Sequence, residues 1–533
     1  MEREQMQCTP AGFESHLSAN GCSGPDGAEV MDTGADISGT QLLRPTSDHT
    51  ICVEVSGVHF GKLFPFTIAK PEATWSPRYV KMPFSTSNRQ IRFVPGQCGG
   101  REVHRWEVIK EALDRPVFKT AKDLVGVITQ YNPKYANEWT FMGLHHYLKQ
   151  MDHSERQFLL EKLLPQMARL ALRLPELCQL PIQLLRVGMK HAISMSQEQV
   201  ACLLANAFFC TFPHRNSTHR RSEYFKFPSI NFNRLFEITS QRTFEKLNTI
   251  FCYFRMVTEN MPRGLVTFQR CGLDSAIEWK RSQCKVTQLR ATSEGTIEDE
   301  GKGLLQVDFA SAMVGGGVLG QGLVQEEVRF LINPELIVAR LFTERLDESE
   351  CLVITGAQRY SEYTGYSDSY RWARPHHDTT PRDPWLRRQT EIVAIDALKF
   401  SDPIDQYKPD CLKRELTKAY CGFSCRVIPD SQRTAVATGN WGCGAFNGDV
   451  KLKALIQIMA AAQAQRNVVY FTFGDVNSKT AIQKMHQVLQ SRNVTVGQIY
   501  NLLEKYSQMA VTRSRPDLYD FIQSNVDCLR GRY

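Results

Sequence analysis

Between residues 263 and 480, short apolar runs of strand character alternate with helical patterns. This alternation limits the fold more than any other feature of the chain. The clearest strand runs are 304–309, 351–355, 391–395, 434–438 and 468–473. A strong helical pattern over 452–465 separates the last two and makes a βαβ unit. The whole segment reads as α/β.

The preceding stretch, about 116–262, has helical periodicity instead. Ser154-Glu155-Arg156-Gln157 is read as a capping box ahead of Phe158, Leu159, Leu160, Leu163 and Leu164. Ser196-Gln197-Glu198-Gln199 is a second such box, opening a helix over 200–209, and 242–259 is a third amphipathic stretch. The Leu and Phe stripes read as core. Residues 51–110 are irregular, with a strand at 51–55 and a Pro-rich extended loop over 65–83 lying on another domain. Residues 1–50 are rich in Gly, Ser, Thr, Asp and Pro and bury too little apolar surface to order themselves. The expected division is therefore a disordered tail over 1–50, an irregular and helical accessory region over 51–262, an α/β domain over 263–515 and a C-terminal tail over 516–533. One or two further helices are expected after 480, such as 496–506, and no internal repeat is visible.

Composition narrows the function classes. The chain has 533 residues, 42% of them hydrophobic, which excludes bulk disorder. Lys plus Arg is 64 and Asp plus Glu is 56, so the formal charge is +8, a mild bias suited to an anionic partner without proving one. No apolar run is long enough to span a membrane, and the polar N-terminus shows no secretory signal. The 16 cysteines are scattered and read as reduced intracellular thiols.

The most informative stretch follows the first strand run. It reads Val314-Gly315-Gly316-Gly317-Val318-Leu319-Gly320-Gln321-Gly322-Leu323-Val324-Gln325-Glu326-Glu327 and leads into a helical run over 328–342. Gly315, Gly317 and Gly320 formally satisfy the dinucleotide pattern G-x-G-x-x-G. Charge argues against it, because that helix N-terminus faces a pyrophosphate and this one opens with two carboxylates. Glycines also let a ligand approach the backbone closely. Acidic residues at a helix start commonly serve only the helix dipole. Here the pair abuts a Gly-rich loop and follows the neutral Gln325, while Asp308 ends the strand feeding the same loop. Three carboxyls around one ligand raise at least one pKa by repulsion and desolvation. A carboxyl kept protonated near neutral pH is the general acid that glycosidic cleavage needs.

A second Gly-rich loop runs from Gly439 to Gly448, between a strand and a helix. Its backbone N–H groups suit a diphosphate. Cys443 within it has no His or Lys nearby in sequence and reads as a small loop residue. The aromatic cluster over 360–372 is polar and aperiodic, so it reads as a loop whose rings either stack on a base or simply pack. His376-His377-Asp378 lacks companions at metal-ligand spacing. Cys421 and Cys425 stand four apart with no second pair to complete a zinc site. The basic run 219–226, with interleaved aromatics, reads as solvated surface.

Taken together these residues resemble the animal-type poly(ADP-ribose) glycohydrolase family. The Gly315-Gly316-Gly317 triplet followed by Gln325-Glu326-Glu327 matches its catalytic signature. The similarity extends through 295–299, Gln306-Val307-Asp308-Phe309-Ala310, Tyr363-Thr364-Gly365-Tyr366 and 439–446, and covers about 60–510. The resemblance implies an α/β macrodomain, a mixed sheet flanked by helices, behind a mostly helical N-terminal accessory region. It implies that Glu327 protonates the leaving ribose oxygen and then activates water, that Glu326 holds ribose hydroxyls, and that Asp308 supports the site by hydrogen bonds. Gly316, Gly317 and Gln325 would belong to the binding wall, and Ile297 and Glu298 would read the adenine. Tyr366 would close over the ligand beside Tyr363. Asn440, Gly442, Gly444, Ala445 and Phe446 would hold the diphosphate and a ribose, and Phe473 would pack near the adenine. No cofactor and no metal is implied. The implied partner is poly(ADP-ribose) on modified proteins, acted on by a monomer in nucleus and cytoplasm without need of nucleic acid or membrane.

The chain departs from the family pattern at Ser311, where Asn is usual, and at Asn447, where Gly is usual. Ser311 replaces only part of an amide's hydrogen bonding, and Asn447 still tolerates positive φ. The long regulatory N-terminus of larger members is missing. Two other function classes stay open at this level: a macrodomain that reads ADP-ribose without cutting it, and a nucleic-acid-binding protein using the basic helical region.

Overall fold

The strand runs of the second half are nearly continuous in apolar residues, the pattern of strands covered on both faces. In the computed structural model, which describes residues 43–59, 61–67, 76–93, 100–217, 219–425, 433–510 and 516–526, these runs build the middle of one large sheet. Its strands in chain order are β1 (His49–Ile51), β2 (His191–Ser196), β3 (Leu265–Gly272), β4 (Leu289–Thr292), β5 (Leu305–Ala310), β6 (Glu350–Gly356), β7 (Arg388–Asp396), β8 (Val436–Gly439) and β9 (Val468–Phe471). Their spatial order is β1-β2-β3-β6-β7-β5-β8-β9-β4. From β7 through β4 every neighbouring pair is parallel, whereas β3 and β6 pair antiparallel on both sides. The sheet is therefore mixed, with a parallel half that carries the Gly-rich loops.

Period-two alternation splits each central strand between two cores. Leu352 and Ile354 of β6, with Ile392 and Ala394 of β7, belong to one apolar cluster. Cys351, Val353, Val393 and Ile395 belong to the other. The first cluster is shared with α1 (Gln197–Phe208) and α2 (Gln241–Glu259). The helix α3 (Gln325–Ile332) contributes Val328, Phe330 and Leu331 to the same cluster. On the other face lie α4 (Pro409–Ser424), α5 (Val450–Gln463) and α6 (Val476–Ser491). The expected βαβ unit is β8-α5-β9, with β8 and β9 paired in parallel.

Ser196 caps α1 as expected: its side chain accepts from Gln199 N–H, and Gln199 Oε1 accepts from Ser196 N–H. Four other expectations need correction. The first box does not form, because the helix His153–Phe158 begins two residues early with Asp152 as N-cap, leaving Ser154 inside the first turn. The helical run over 328–342 breaks at Asn333-Pro334 into a 3₁₀ turn, Pro334–Val338, and a short helix, Ala339–Phe342. Proline cannot donate the hydrogen bond that continuation needs. The aromatic segment is a β-hairpin of Ser361–Thr364 and Arg371–Pro375 rather than a loop, with Tyr370 buried and Tyr366 at the exposed turn. Finally, Cys271 and Cys425 are joined in a disulfide, while ten other described cysteines are free thiols. The pair is 154 apart in sequence, so only the packing of α4 on the sheet brings it together.

Residues 1–42 of the expected tail lie outside the described residues. Leu43 is already buried, and β1 lies in the sheet beside β2. The described residues from Leu43 onward form one compact unit, so strands from the N-terminal half and from the α/β half share one sheet. Among the described residues no helix is long and apolar enough to cross a membrane.

Candidate active site

Loops leaving the carboxyl ends of adjacent parallel strands converge on one side of the sheet, where α/β ligand sites form. They bound a cavity of about 710 Å³. Thr296 and Glu298 follow β4, Gln325 follows β5, Asn440 to Phe446 follow β8, and Phe473 follows β9. Tyr363 and Tyr366 of the hairpin close the remaining side. The lining is mainly aromatic and apolar with a few convergent polar groups, as in small-molecule sites generally.

The two glutamates are held by the loop before them. Glu326 accepts from Gly315 N–H at 2.6 Å and Ser311 N–H at 2.8 Å. Glu327 accepts from Gly317 N–H at 2.7 Å and from Val324 N–H, the N-cap of α3, at 2.9 Å. Because the Ser311 contact is made by backbone N–H, it does not depend on the side chain at that position. The loop needs glycine for this. Gly316 has φ +42°, and a Cβ there would lie 2.4 Å from Glu327 Oε1 and 2.6 Å from Glu326 Oε2. At Gly322 a Cβ would lie 2.5 Å from Glu327 Oε1.

With its N–H groups turned toward the carboxylates, the loop turns its carbonyls toward buried cations. Lys246 of α2 donates to the carbonyls of Gly317 at 3.0 Å, Val318 at 3.2 Å, Gly320 at 2.8 Å and also Gly322. Arg340 donates to Val314 and Gly316 at 2.8 and 3.0 Å. One turn before Lys246, Arg242 bonds Asp368 and Ser367 of the hairpin turn and Gln321 of the loop. Burial pushes the Lys246 ammonium down to about 7, with the nearby Glu327 opposing the shift.

Asp308 is fully buried, and neither carboxylate oxygen has a hydrogen-bond partner among the described residues. The hydrogen bonds expected from it are thus absent in this structure. Burial pushes it up to about 8; Arg329 opposes the shift and Glu327 adds to it. Glu326 is raised well above its ordinary value by burial and by the charges of Asp308 and Glu327. Both shifts favour the protonated forms of Asp308 and Glu326.

On the far side, Gly442 and Asn447 both adopt positive φ, +74° and +61°, so Asn447 does hold the left-handed conformation. The backbone N–H groups of Gly444, Ala445 and Phe446 are engaged by no hydrogen bond among the described residues, which leaves them open to an anion. Burial pushes the Cys443 thiol up to about 12, so it is no ready nucleophile.

Of the expected binding residues, Glu298, Gln325, Tyr363, Tyr366, Asn440, Gly442, Gly444, Ala445, Phe446 and Phe473 line the cavity. Ile297 is buried against Ala437 and Phe471 instead. Gly316, Gly317, Glu326, Glu327 and Asp308 are not among the cavity's lining residues; the three carboxyls are buried, and Gly316 and Gly317 are half-buried. Gln325 itself is fixed to β5, accepting from Phe309 N–H at 2.8 Å and donating to Val307 O at 3.2 Å. Glu298 accepts from the Tyr363 hydroxyl, and Gln325 N–H donates to the Tyr366 hydroxyl at 3.2 Å.

Sequence reasoning missed Lys246, Arg242, Arg329 and Arg340. A signal existed for the first two: they are cations four apart, on one face of a helix otherwise rich in buried apolar residues.

A cluster of buried carboxyls beside a pocket at the carboxyl ends of parallel strands is the layout of an α/β enzyme. The family model for the macro domain fold of poly(ADP-ribose) glycohydrolase matches residues 276–480, and the model for that family's helical domain matches 151–270. The chain is 31% identical to poly(ADP-ribose) glycohydrolase 1 of Arabidopsis thaliana over 529 residues, covering 83% of this chain and 92% of that one. It is 32% identical to the probable poly(ADP-ribose) glycohydrolase 2 of the same plant over 435 residues, 68% of this chain and 81% of that one. With poly(ADP-ribose) glycohydrolase 1 of Caenorhabditis elegans it shares 33% identity over 378 residues, 68% of this chain and 46% of that one. The chain belongs to the poly(ADP-ribose) glycohydrolase family.

Proposed function

We propose that the protein cleaves the ribose–ribose O-glycosidic bonds of poly(ADP-ribose), releases ADP-ribose and so reverses poly-ADP-ribosylation of proteins. One observation above all supports this. Two adjacent glutamates, each gripped by two backbone N–H groups of a Gly-rich loop, back a pocket whose opposite wall is a second Gly-rich loop with open amides. In this reading Glu327 protonates the leaving ribose oxygen as the bond to the anomeric carbon breaks through an oxocarbenium-like state. Glu327 then takes a proton from the attacking water. Glu326 keeps the loop in register, and Asp308 holds the cluster's proton inventory beneath it. The diphosphate lies on Gly442 to Phe446, the adenine between Glu298 and Phe473, and Tyr366 over the ligand.

The triplet-to-glutamate spacing supports placing the chain with the animal-type members. We take it to act as a monomer in nucleus and cytoplasm on chains attached to proteins, with nucleic acid not required. The stretch up to about residue 262 serves as the accessory part and the stretch after it as the catalytic part.

The test is incubation with poly(ADP-ribose) followed by chromatography for free ADP-ribose. Wild-type protein releases it. Glu327→Gln keeps the shape but has no proton to give, so turnover falls by about 10²–10⁴-fold while ADP-ribose binding persists. Binding without release by the wild-type protein would instead make it a reader.

A further inference from the structure

Away from the pocket, four cysteines meet. Cys271 and Cys351 are opposite residues of the antiparallel pair β3–β6 and share the sheet face covered by α4. Cys421 and Cys425 are one turn apart near the end of α4, so their side chains leave the same face of the helix. The helix sits close to the sheet because Gly422 has no side chain: a Cβ there would come within 2.6 Å of Ile395. The fold thus brings together two cysteine pairs that the sequence keeps far apart.

The sulfurs of Cys271, Cys351 and Cys425 lie within 4.8 Å of one another. Cys421 Sγ is 3.8 Å from Cys351 Sγ. A tetrahedral metal–thiolate bond of about 2.3 Å sets neighbouring sulfurs about 3.8 Å apart. The Cys421–Cys351 spacing meets that value; Cys421 Sγ stands outside the group of three, so its side chain must turn toward Cys271 and Cys425 once their bond is opened. Lys418, buried one turn before Cys421, donates to Glu350 O beside Cys351 at 2.7 Å and pairs with Asp396. The cavity of about 680 Å³ over Cys271, Cys421 and Cys425 gives an ion a way in; its lining holds Asp274 as well as Lys190, Arg270 and Arg433, with Lys190 paired to Asp274 and Arg270 to Glu350. That cavity shares no lining residue with the substrate pocket.

We propose that Cys271, Cys351, Cys421 and Cys425 form a four-thiolate site for a soft divalent cation, zinc foremost, in the reduced protein. A dithiol reductant opens the Cys271–Cys425 disulfide, yielding two thiols and the oxidised dithiol. Metal binding then releases the four thiol protons. Loss of two electrons to an oxidant re-forms the disulfide and expels the ion. The bound ion would tie the end of α4 to β3 and β6 in place of the disulfide.

The experiment uses the full chain with cadmium as probe, read through the ultraviolet thiolate-to-cadmium charge-transfer band, and elemental analysis for zinc after purification under dithiothreitol. Reduced protein is expected to take up a single ion with all four thiolates. Protein oxidised with diamide should show at least a tenfold weaker band. In Cys351→Ser and Cys421→Ser, uptake should fall by a similar factor, while Cys284→Ser and Cys411→Ser behave as wild type. Equal uptake by reduced and oxidised wild-type protein would overturn the proposal, and so would undiminished uptake by folded Cys351→Ser. The comparison of redox states needs no mutant, so it decides the question even if the serine variants fail to fold.

Discussion

At the scale of single residues, the clearest expectations concern Tyr366 and Asp308. The Tyr366 ring is 53% exposed at a hairpin turn, held at its hydroxyl by Gln325 N–H. An aromatic ring left in that position is available to cover a ligand. Base–aromatic stacking is worth about 1–3 kcal/mol, so Tyr366→Ala should weaken ADP-ribose binding about 5- to 150-fold. Tyr366→Phe keeps the ring face and most of the affinity. Calorimetric affinities and melting temperatures on both variants separate binding from packing: a destabilised Ala variant with unchanged affinity would end the stacking role. Asp308 sets a pH dependence. Its folded value is pushed up to about 8 from an ordinary 3.8, chiefly by burial. Between those values the native protein holds a proton that the unfolded chain has released, so stability is full below about pH 4 and declines as pH rises toward 8. The difference in slope is at most about 1.4 kcal/mol per pH unit. Melting curves across that range should fall more steeply for wild type than for Asp308→Asn; parallel curves would mean that Asp308 is ionised in the native state.

At the scale of elements, α2 braces the Gly-rich loop before the glutamates from outside the α/β half. Lys246 gathers four carbonyls of the loop, and Arg242 ties the same loop to the Tyr366 hairpin. The Gly315 and Gly317 N–H groups then point at the glutamates, while those of Gly316, Val318 and Gly320 bond carbonyls within the loop. Lys246→Met removes the donor while keeping the length and the apolar stem. A displacement of about 1 Å at a reacting group can lower a rate about 100-fold, and a loss of that order in kcat is expected with little change in KM. Steady-state kinetics check it; an unchanged kcat would show that Arg340 and the glutamates hold the loop without help. The hairpin shows why a neighbouring element was misread. Its polar, Gly-containing sequence has loop composition, and it becomes two strands because Tyr360 and Tyr370 bury beneath it while Trp372 N–H bonds Glu245 of α2. Those partners are far away in sequence.

At the scale of the whole molecule, one sheet joins both halves of the chain. Removing residues before 263 would delete β1, β2, α1 and α2 and leave Val266 and Phe268 of β3, fully buried in the intact protein, on an exposed edge. The shortened chain should aggregate or melt without cooperativity, as judged by size-exclusion chromatography and circular dichroism; a soluble monomer with full turnover would show that the N-terminal half is dispensable. The sequence alone determined the α/β class, the central strands with their βαβ unit, the two Gly-rich loops and the glutamate pair, because each depends on local periodicity or on residues adjacent in the chain. The family resemblance, rather than any local pattern, supplied most of the residues that line the cavity, from Glu298 to Phe473. The tertiary structure decided that strands from both halves complete one sheet and that Asp308 lies buried without hydrogen-bond partners. It also decided that Lys246 and Arg242 reach the Gly-rich loop before the glutamates from another region, and that scattered cysteines meet under α4. Each of these depends on contacts between segments scores to hundreds of residues apart, which buried area and backbone hydrogen bonding fix only after the chain has closed on itself.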